Sequence, residues 1–480
     1  MFYTYQDLEK INPNDEYARM DFIRKVMNEH KNSTLYQQAQ LADEYDRRQN
    51  RTIREYQKLL YTVSGRAVPD NWSANYKIPS NFFNRFIVQE NQTLLANGVS
   101  FKTESTKDRL GEDFDTKLSM IGKYALTGGV CFGFWNLDHL EVFPIYAKEL
   151  PCFAPLYDEE SGALKAGVRF WQLDETKPLR ATLFELDGYT EYIWRRRVRG
   201  EVLAEKRPYI IKATGDAADE AAGTLEYIGE NYPAFPIVPL WGNFHRQSEL
   251  IGLQEGIDCY DLIKSGFANT VDEASLIYWT INNAGGMDDV DLVQFVEHMR
   301  TVKAAVVSDE GASAESHTIE APYQSREAIL SRLEKDLFRD AMAVNTDEIA
   351  AGNVTATQIR AAYDAHNSKV DQYETCVIDF IQGILTVAGI DDIPTFTRSQ
   401  VANETENITN LLAAAQYLSD EYITRKLLTF FGDGDLADEM IRQMDAEELE
   451  RGRELQNEAA ENGGEEENPE ENENAGGGEE

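Results

Sequence analysis

The residue types able to do chemistry are scattered along this chain, and few of them fall at productive spacings. Six histidines (His30, His139, His245, His298, His317 and His366) include no HExxH and no pair at a metal-ligand spacing. No GxxxxGKS/T run is present, which excludes a phosphate-cradling nucleotide loop of that kind. Gly128-Gly129-Val130-Cys131-Phe132-Gly133 is glycine-rich but lacks the GxGxxG spacing, and reads as a tight turn into a buried strand. Asp433, Asp435, Asp438 and Glu439 resemble part of a calcium loop. Ala437 occupies the third acidic position, however, and the glycine is misplaced. An acidic helix start, favoured by the macrodipole, is the better reading. Pairs such as Asp288-Asp289 and Asp391-Asp392 are too common in so acidic a chain to nominate a catalytic dyad. No catalytic residue, metal or cofactor is expected.

One charge pattern is less ordinary. Arg332, Lys335 and Arg339 recur at steps of three and four and form a basic stripe on a helix. Two readings stay open: salt bridges to neighbouring acidic helices, or a ring of positive charge that faces a channel and touches phosphates transiently.

The elements that must position these residues follow from periodicity and punctuation. Residues from about Asp15 to Tyr61 contain no Pro or Gly and read as helices broken near Asn32-Ser33, where Ser33 or Thr34 can cap a new start. A further helix opens after Pro79 and stops at Asn97-Gly98. Between Gly128 and Val202 the texture changes to strands and turns, with apolar runs at Val130–Phe134, Leu140–Phe143, Gly167–Leu173 and Tyr192–Val198. Ile210 to Gly229 reads as a loop or extended hairpin.

Leu250, Leu253, Ile257, Tyr260, Ile263, Phe267, Val271 and Ala274 then mark a long helix from about Ser248. Some 30 residues would span roughly 45 Å, longer than a compact domain usually holds. Ser275 to Pro322 reads as a small α/β insertion, with apolar runs at Leu276–Ile281 and Val302–Ser308, the Gly285-Gly286 turn, and a short helix at Asp289–Met299. A second helix follows at about Ser325–Val344, and then a polar loop. Thr355-Ala356-Thr357-Gln358 has the form of a capping box. It starts the cleanest helix of the chain, in which Ile359, Tyr363, His366, Val370, Tyr373, Val377, Phe380 and Ile384 alternate steps of four and three. His366, on that apolar face, reads as a satisfied core histidine. About Thr395–Arg453 is expected to be predominantly helical, with helices at Ile408–Leu418 and from near Leu436.

Composition bounds the function. The 480 residues have room for two or more core-forming units at about 150 residues each. With 46 Lys+Arg against 84 Asp+Glu the net charge is −38, and ten Glu with no Lys or Arg lie beyond Leu455. An acidic body repels duplex DNA rather than gripping it, because phosphate binding needs Lys and Arg to displace counterions. A sequence-specific DNA binder is therefore not expected. Cys131, Cys152, Cys259 and Cys376 lie far apart without a CxxC pair, and the start MFYTYQDLEK has no basic-then-apolar order. They read as reduced, mostly buried thiols of a cytoplasmic protein. No apolar run approaches the roughly 20 residues of a membrane helix, so a soluble chain with no membrane partner is expected.

The order of elements resembles one family, the portal proteins of tailed bacteriophages, especially the branch of long-tailed phages of Gram-positive hosts. The resemblance covers about Asp15 to Asp445. It rests on Lys77-Ile78-Pro79-Ser80-Asn81 leading to Ile87-Val88 and Leu95-Ala96-Asn97-Gly98-Val99, on Ala125-Leu126-Thr127-Gly128-Gly129, and on Ile237-Val238-Pro239-Leu240. It continues in Leu253-Gln254-Glu255-Gly256-Ile257-Asp258-Cys259-Tyr260-Asp261-Leu262, Leu333-Glu334-Lys335-Asp336-Leu337-Phe338-Arg339, the Gly352-Asn353 loop and the helix from Thr357.

The resemblance implies an α+β, mostly helical portal fold. It would divide the chain into a wing (1–247), a stem helix (248–274), a clip (275–322), a second stem helix (323–344), a tunnel loop (345–354), a long wing helix (355–394), a crown (395–453) and a disordered acidic tail (454–480). Asn345, Thr346, Asp347, Glu348, Ile349, Gly352 and Asn353 would then project into a DNA channel. Gly352 stands alone there, without the extra glycines of the family pattern. Asn282, Asn283, Gly285, Gly286, Asp288 and Asp289 would sit in the clip, where family portals meet the terminase and later a head-completion or adaptor protein. The same resemblance implies a ring, dodecameric in the family, at one vertex of a virion assembled in the host cytoplasm. It would contact major capsid and scaffolding proteins, and double-stranded DNA would pass without sequence specificity during packaging and ejection. Another virion ring or adaptor without a channel, and an enzyme seated around Gly128–Val202, are the competing readings.

Overall fold

The computed structural model describes residues 3–61, 65–71, 73–195, 200–214, 226–274, 278–282, 293–294, 313–317, 323–347, 356–399, 411–431, 436–444, 446, 451 and 453. It is an α+β chain in which helix outweighs strand, as the sequence implies. Contacts divide it into two units: residues 1–353 with 359–399, and residues 354–358 with 400–480.

After a short helix, Tyr5–Glu9, the larger unit continues with two helices separated by one residue. Glu16–Asn32 is capped by Asp15, whose side chain accepts from Ala18 N at 3.0 Å. Ser33 ends that helix and starts Thr34–Asp46, its hydroxyl accepting from Tyr36 N at 3.2 Å and donating to His30 O at 2.7 Å. The helical reading as far as Tyr61 is corrected. After Asp46 the chain makes only a short helix, Arg51–Glu55, and then a strand, Leu59–Tyr61, paired with Ala67–Pro69. No apolar stripe runs on through these residues to hold a longer helix in place.

Met20, Ile23, Val26 and Met27 bury one face of the first long helix against an antiparallel five-stranded meander. Its strands run Cys152–Tyr157, Leu164–Trp171, Leu179–Glu185, Gly188–Trp194 and Glu201–Arg207, in sequence order across the sheet. Alternation places Val168, Phe170, Ala181, Leu183 and Tyr192 on the covered face. The ion pair of Arg19 with Glu185, 2.5 Å apart and nearly dry, ties helix to sheet. The strands read from the sequence are present, although Leu173 lies past its strand and Val198 lies outside the described residues. The Ile210 region is a hairpin, Ile210–Thr214 with Glu226–Glu230.

The second core joins Phe82–Leu95, Phe114–Gly128 and the long helix Ala356–Ala388 to a three-stranded sheet of Ile237–Trp241, Val130–Asn136 and His139–Pro144. Val130–Asn136 is covered on both faces, which is why it reads as a continuous apolar run. Gly129 alone makes the turn before it: it is left-handed at φ 89°, and a Cβ there would lie 2.9 Å from the Gln247 backbone. Gly122 serves a different purpose. A Cβ at this position would meet Tyr373 Oη at 2.1 Å and Asn91 Oδ1 at 2.4 Å, so the three helices close on one another only because it is absent.

Two helix boundaries are corrected. The helix read from Ser248 starts at Gln254, because residues 250–253 form a turn around Gly252 at φ 88°. The helix read to Val344 runs from Tyr323 to Asp340. Between them Tyr278–Asn282 pairs antiparallel with Ser313–His317. The run at Val302–Ser308 and most of the expected helix at Asp289–Met299 lie outside the described residues, as does the Thr355 cap. The chain after the long helix is also corrected. Pro394–Phe396 is a strand paired with Val99–Phe101 in the larger unit, not the start of a helical segment.

The smaller unit holds a short helical stretch at 411–413, a 3-10 turn at Ala415–Tyr417 and the helix Asp420–Phe431, followed by helix at 437–444. The helix expected over Ile408–Leu418 is therefore reduced to two short pieces among the described residues. Arg425 bridges Asp438 at 2.7 Å and Glu421 at 3.6 Å, and Ile423 and Ala437 are buried. Asp438 and Glu439 lie on helix, whereas Asp433 and Asp435 lie outside the described residues.

Candidate functional site

The helix Tyr323–Asp340 ends in a turn whose backbone and side chains are held by two other helices. Ala343 N donates to Phe338 O at 2.9 Å and Met342 N to Arg339 O at 3.0 Å, with Met342 left-handed at φ 51°. This is the Schellman arrangement, with methionine where glycine is usual. The carbonyls released there face the long helix. Lys369 Nζ donates to Ala341 O at 3.3 Å, and His366 Nδ1 lies 3.1 Å from Met342 O. A carbonyl only accepts, so Nδ1 carries the proton. Burial lowers the histidine's basicity and keeps the ring neutral. Nε2 lies 2.9 Å from the Thr93 hydroxyl, whose single hydrogen is shared between it and Gln89 O at 2.7 Å. His366 is a satisfied interior histidine, as its place on the apolar stripe suggested.

The next residues are pinned to Phe82–Leu95. The Gln89 amide spans Val344, donating to its carbonyl and accepting from its N–H, each at 3.1 Å. Arg85 reaches Thr346 Oγ1 at 3.1 Å and Asp347 at 3.9 Å, and its guanidinium lies 5.0 Å from the Phe338 ring centre. Ala341–Asp347 is thus a fixed root for whatever follows it.

A charge cluster lies beneath this root. Lys369 Nζ is 2.8 Å from Glu90 and 2.7 Å from Glu249. Burial opposes the lysine's charge, but the two carboxylates outweigh it and hold the ammonium above its ordinary value. Glu90 is fully buried, and burial pushes its carboxyl up to about 7; Lys369 pulls it down and Glu249 pushes it up again. One cation between two carboxylates leaves a site that takes up a proton near neutrality.

A second polar network runs along Gln254–Ala274. Asp261, wholly buried, accepts from Ser80 N at 2.8 Å and from Asn50 Nδ2 at 2.5 Å. Ser265 Oγ accepts from Ile78 N and Asn269 Oδ1 from Tyr76 N, at 3.0 and 2.7 Å. Asp258 takes the hydroxyls of Tyr45 and Thr52 at 2.5 and 2.7 Å. Asp258, Asp261, Ser265 and Asn269 recur at steps of three and four, so this helix carries a polar stripe that replaces strand partners for the extended segment 76–80. The apolar stripe read from the sequence is only partly buried: Leu253 and Ile257 are interior, whereas Val271 is exposed. Cys259 is exposed as well, against the expectation of mostly buried thiols, while Cys131 and Cys152 are buried.

The family model described as "Phage portal protein, SPP1 Gp6-like" matches residues 24–454. The chain belongs to that family. It is similar to a portal protein of Clostridium phage phiCD119, 23% identical over 235 residues, which are 45% of this chain and 52% of that relative. The matched stretch therefore spans about half of that protein. Structural similarity extends to chains in the virion of a native gene transfer agent particle (TM-score 0.43, 13% identity, 72% of this chain and 89% of that one). It also extends to the neck of the empty particle with C6 symmetry (TM-score 0.40, 13% identity, 73% and 90%). Overlaps this loose carry no argument.

Within this portal-family chain, the residues singled out from the sequence lie as follows. Asn345, Thr346 and Asp347 form the end of the root, and Glu348, Ile349, Gly352 and Asn353 lie outside the described residues. Asn282 ends the strand Tyr278–Asn282, whereas Asn283, Gly285, Gly286, Asp288 and Asp289 lie outside them. Arg332, Lys335 and Arg339 are exposed on Tyr323–Asp340. Arg332 approaches Asp336 at 3.7 Å and Arg339 also pairs with Asp336, so the partner shown is a carboxylate of the same helix. Sequence reasoning missed Gln89, Glu90, Asp261 and Lys369. A polar residue recurring at helical spacing beside an apolar stripe was the available signal, as Lys369 stands one turn beyond His366.

No helix among the described residues is long and apolar enough to cross a membrane. Nor does any group of three metal-ligating side chains converge among them.

Proposed function

We propose that the chain is the portal vertex protein of a tailed phage. Twelve copies would form a ring around an axial channel through which double-stranded DNA is packaged and ejected. The match of the portal family model to residues 24–454 carries the reading. On this reading Gln254–Ala274 and Tyr323–Asp340 are the stem pair. They pack through Arg326, whose guanidinium donates to Gly266 O at 3.1 Å and Thr270 Oγ1 at 2.6 Å, and through Phe267 against Tyr323. The hairpin Tyr278–Asn282 with Ser313–His317 belongs to the clip, the docking face for terminase and then for a head-completion protein. Residues 345–354 are the tunnel loop, and the root described above is its fixed end. Residues 1–247 and 355–394 make the wing, and 395–453 the crown. Major capsid and scaffolding proteins are the further partners, and assembly takes place in the host cytoplasm.

A net charge of −38 suits such a channel, because an acidic wall lets a polyanion slide where a basic wall would hold it. Arg332, Lys335 and Arg339 would touch passing phosphates only transiently while Asp336 shares their charge. Electron microscopy of the purified full chain, paired with light scattering, tests the proposal. A closed ring with an axial hole wide enough for a duplex is expected. A small closed dimer without a hole, persisting across salt and concentration, would overturn it.

A further inference from the structure

A groove of about 600 Å³ opens at the start of the helix Phe82–Leu95. It is notable for its charge. In a chain with nearly two acids for each base, three cations (Arg48, Arg85 and Lys264) line it together with Asn81, Phe82 and Tyr260. Arg48 donates to the Pro79 carbonyl at 3.3 Å, and Lys264 lies 5.7 Å from the Tyr260 ring centre. Among the described residues, neither has a carboxylate at ion-pair distance. Arg85 has only the exposed, 3.9 Å approach of Asp347. The apolar part of the lining includes Val88, which is exposed on this surface.

Cations left without carboxylates beside exposed apolar area make a surface suited to an acidic segment with apolar neighbours. The chain itself supplies carboxylates in large excess, and a ring brings another copy of it against every subunit. Head-to-tail rings use heterologous interfaces, in which a groove on one subunit meets a different surface on the next. We infer that this groove seats a carboxylate-bearing segment of the neighbouring copy, with Arg48 and Lys264 as the receiving charges. The inference rests on the ring reading above and assigns it a contact. It also gives that contact a consequence. An incoming carboxylate competes with Asp347 for Arg85, so seating the neighbour loosens the outermost tie on the root of the loop.

The test uses full-length rings assembled from equal parts of unlabelled and nitrogen-15-labelled chain. They are treated with a zero-length carbodiimide coupler, which joins an amine to a carboxylate only where the two touch, and are then digested for mass spectrometry. Lys264 is expected in adducts of mixed isotope content, joined to an Asp or Glu of the other copy. The double variant Arg48→Glu with Lys264→Glu is expected to lower the ring fraction about tenfold at fixed protein concentration, since like charges facing each other across an interface are strongly disfavoured. Circular dichroism of that variant establishes that the subunit is folded.

Intact wild-type rings whose Lys264 couples only within its own chain, or not at all, would overturn the inference and leave the ring reading standing. So would formaldehyde adducts joining Lys264 to duplex DNA instead of protein, which would make the groove a phosphate site. Absence of rings in the wild type is a separate result that defeats the ring reading itself.

Discussion

The Lys369 ammonium stands 2.8 Å from the Glu90 carboxylate, inside the larger unit and directly beneath the turn that follows Tyr323–Asp340. Glu249 completes the cluster from a third stretch of chain, and Ala341 O takes another hydrogen of the same lysine. One cation therefore serves two carboxylates and a loop root, which makes the members unequal on removal.

Lys369→Met leaves two carboxylates facing each other in a dry site, and should cost about 3–5 kcal/mol. Glu90→Gln leaves Lys369 still paired with Glu249 and should cost much less. Urea unfolding of both variants beside the wild type checks the order; equal losses would mean that Glu90 carries the cluster.

The pH dependence has a definite sign. The folded-state value of Glu90, about 7, lies above its ordinary 4.5, so between those values the folded chain binds a proton that the unfolded chain has released. Its contribution to stability is fully present below about pH 4.5 and is lost as pH rises to about 7. The unfolding temperature of the wild type, taken relative to Glu90→Gln, should fall across that window. A rise would show that attraction to Lys369 outweighs burial.

Met342 holds a left-handed conformation at φ 51° with about half of the residue exposed. Glycine adopts that geometry without steric cost. Met342→Gly should raise stability by about 0.5–1 kcal/mol, while Met342→Ala, which keeps the Cβ, should not. Thermal unfolding of the pair distinguishes backbone strain from an effect of the lost side chain.

Asp261 receives two buried donors, Ser80 N and the Asn50 amide, the latter also reaching Ser80 O at 3.3 Å. Asp261→Ala should cost about 2–4 kcal/mol, because buried donors left unpaired lose their full solvation. Hydrogen exchange at Ser80 should accelerate in that variant; unchanged protection would show that another acceptor takes over.

Much of the architecture is legible from local pattern. The Ser33 break, the stop at Gly98 and the turn at Gly129 each depend on a cap or a left-handed glycine, and both are written in a few neighbouring residues. The stripe from Tyr363 to Ile384 lies on the interior face throughout, because a face that apolar must be covered whichever element covers it. Where a boundary depends on context, the reading overran. The repeat from Leu250 continues without a fault into Gln254–Ala274, yet a turn at Gly252 interrupts it. The helix to Val344 stops early because Gln89, His366 and Lys369 capture the backbone groups that another turn would use.

By itself, then, the amino-acid order determined most of the helices and strands of residues 82–394, the buried face of the long helix Ala356–Ala388, the acidic balance and the family order of segments. All of these follow from short-range periodicity, capping and composition. Only the tertiary structure decided that Glu90, Glu249 and Lys369 share one site, that Asp261 holds the Ser80 backbone, and that three cations gather at one groove. Whether a polar side chain is paired depends on which distant faces meet. In a chain this acidic, a carboxylate destined for the interior looks, in sequence, like one destined for water.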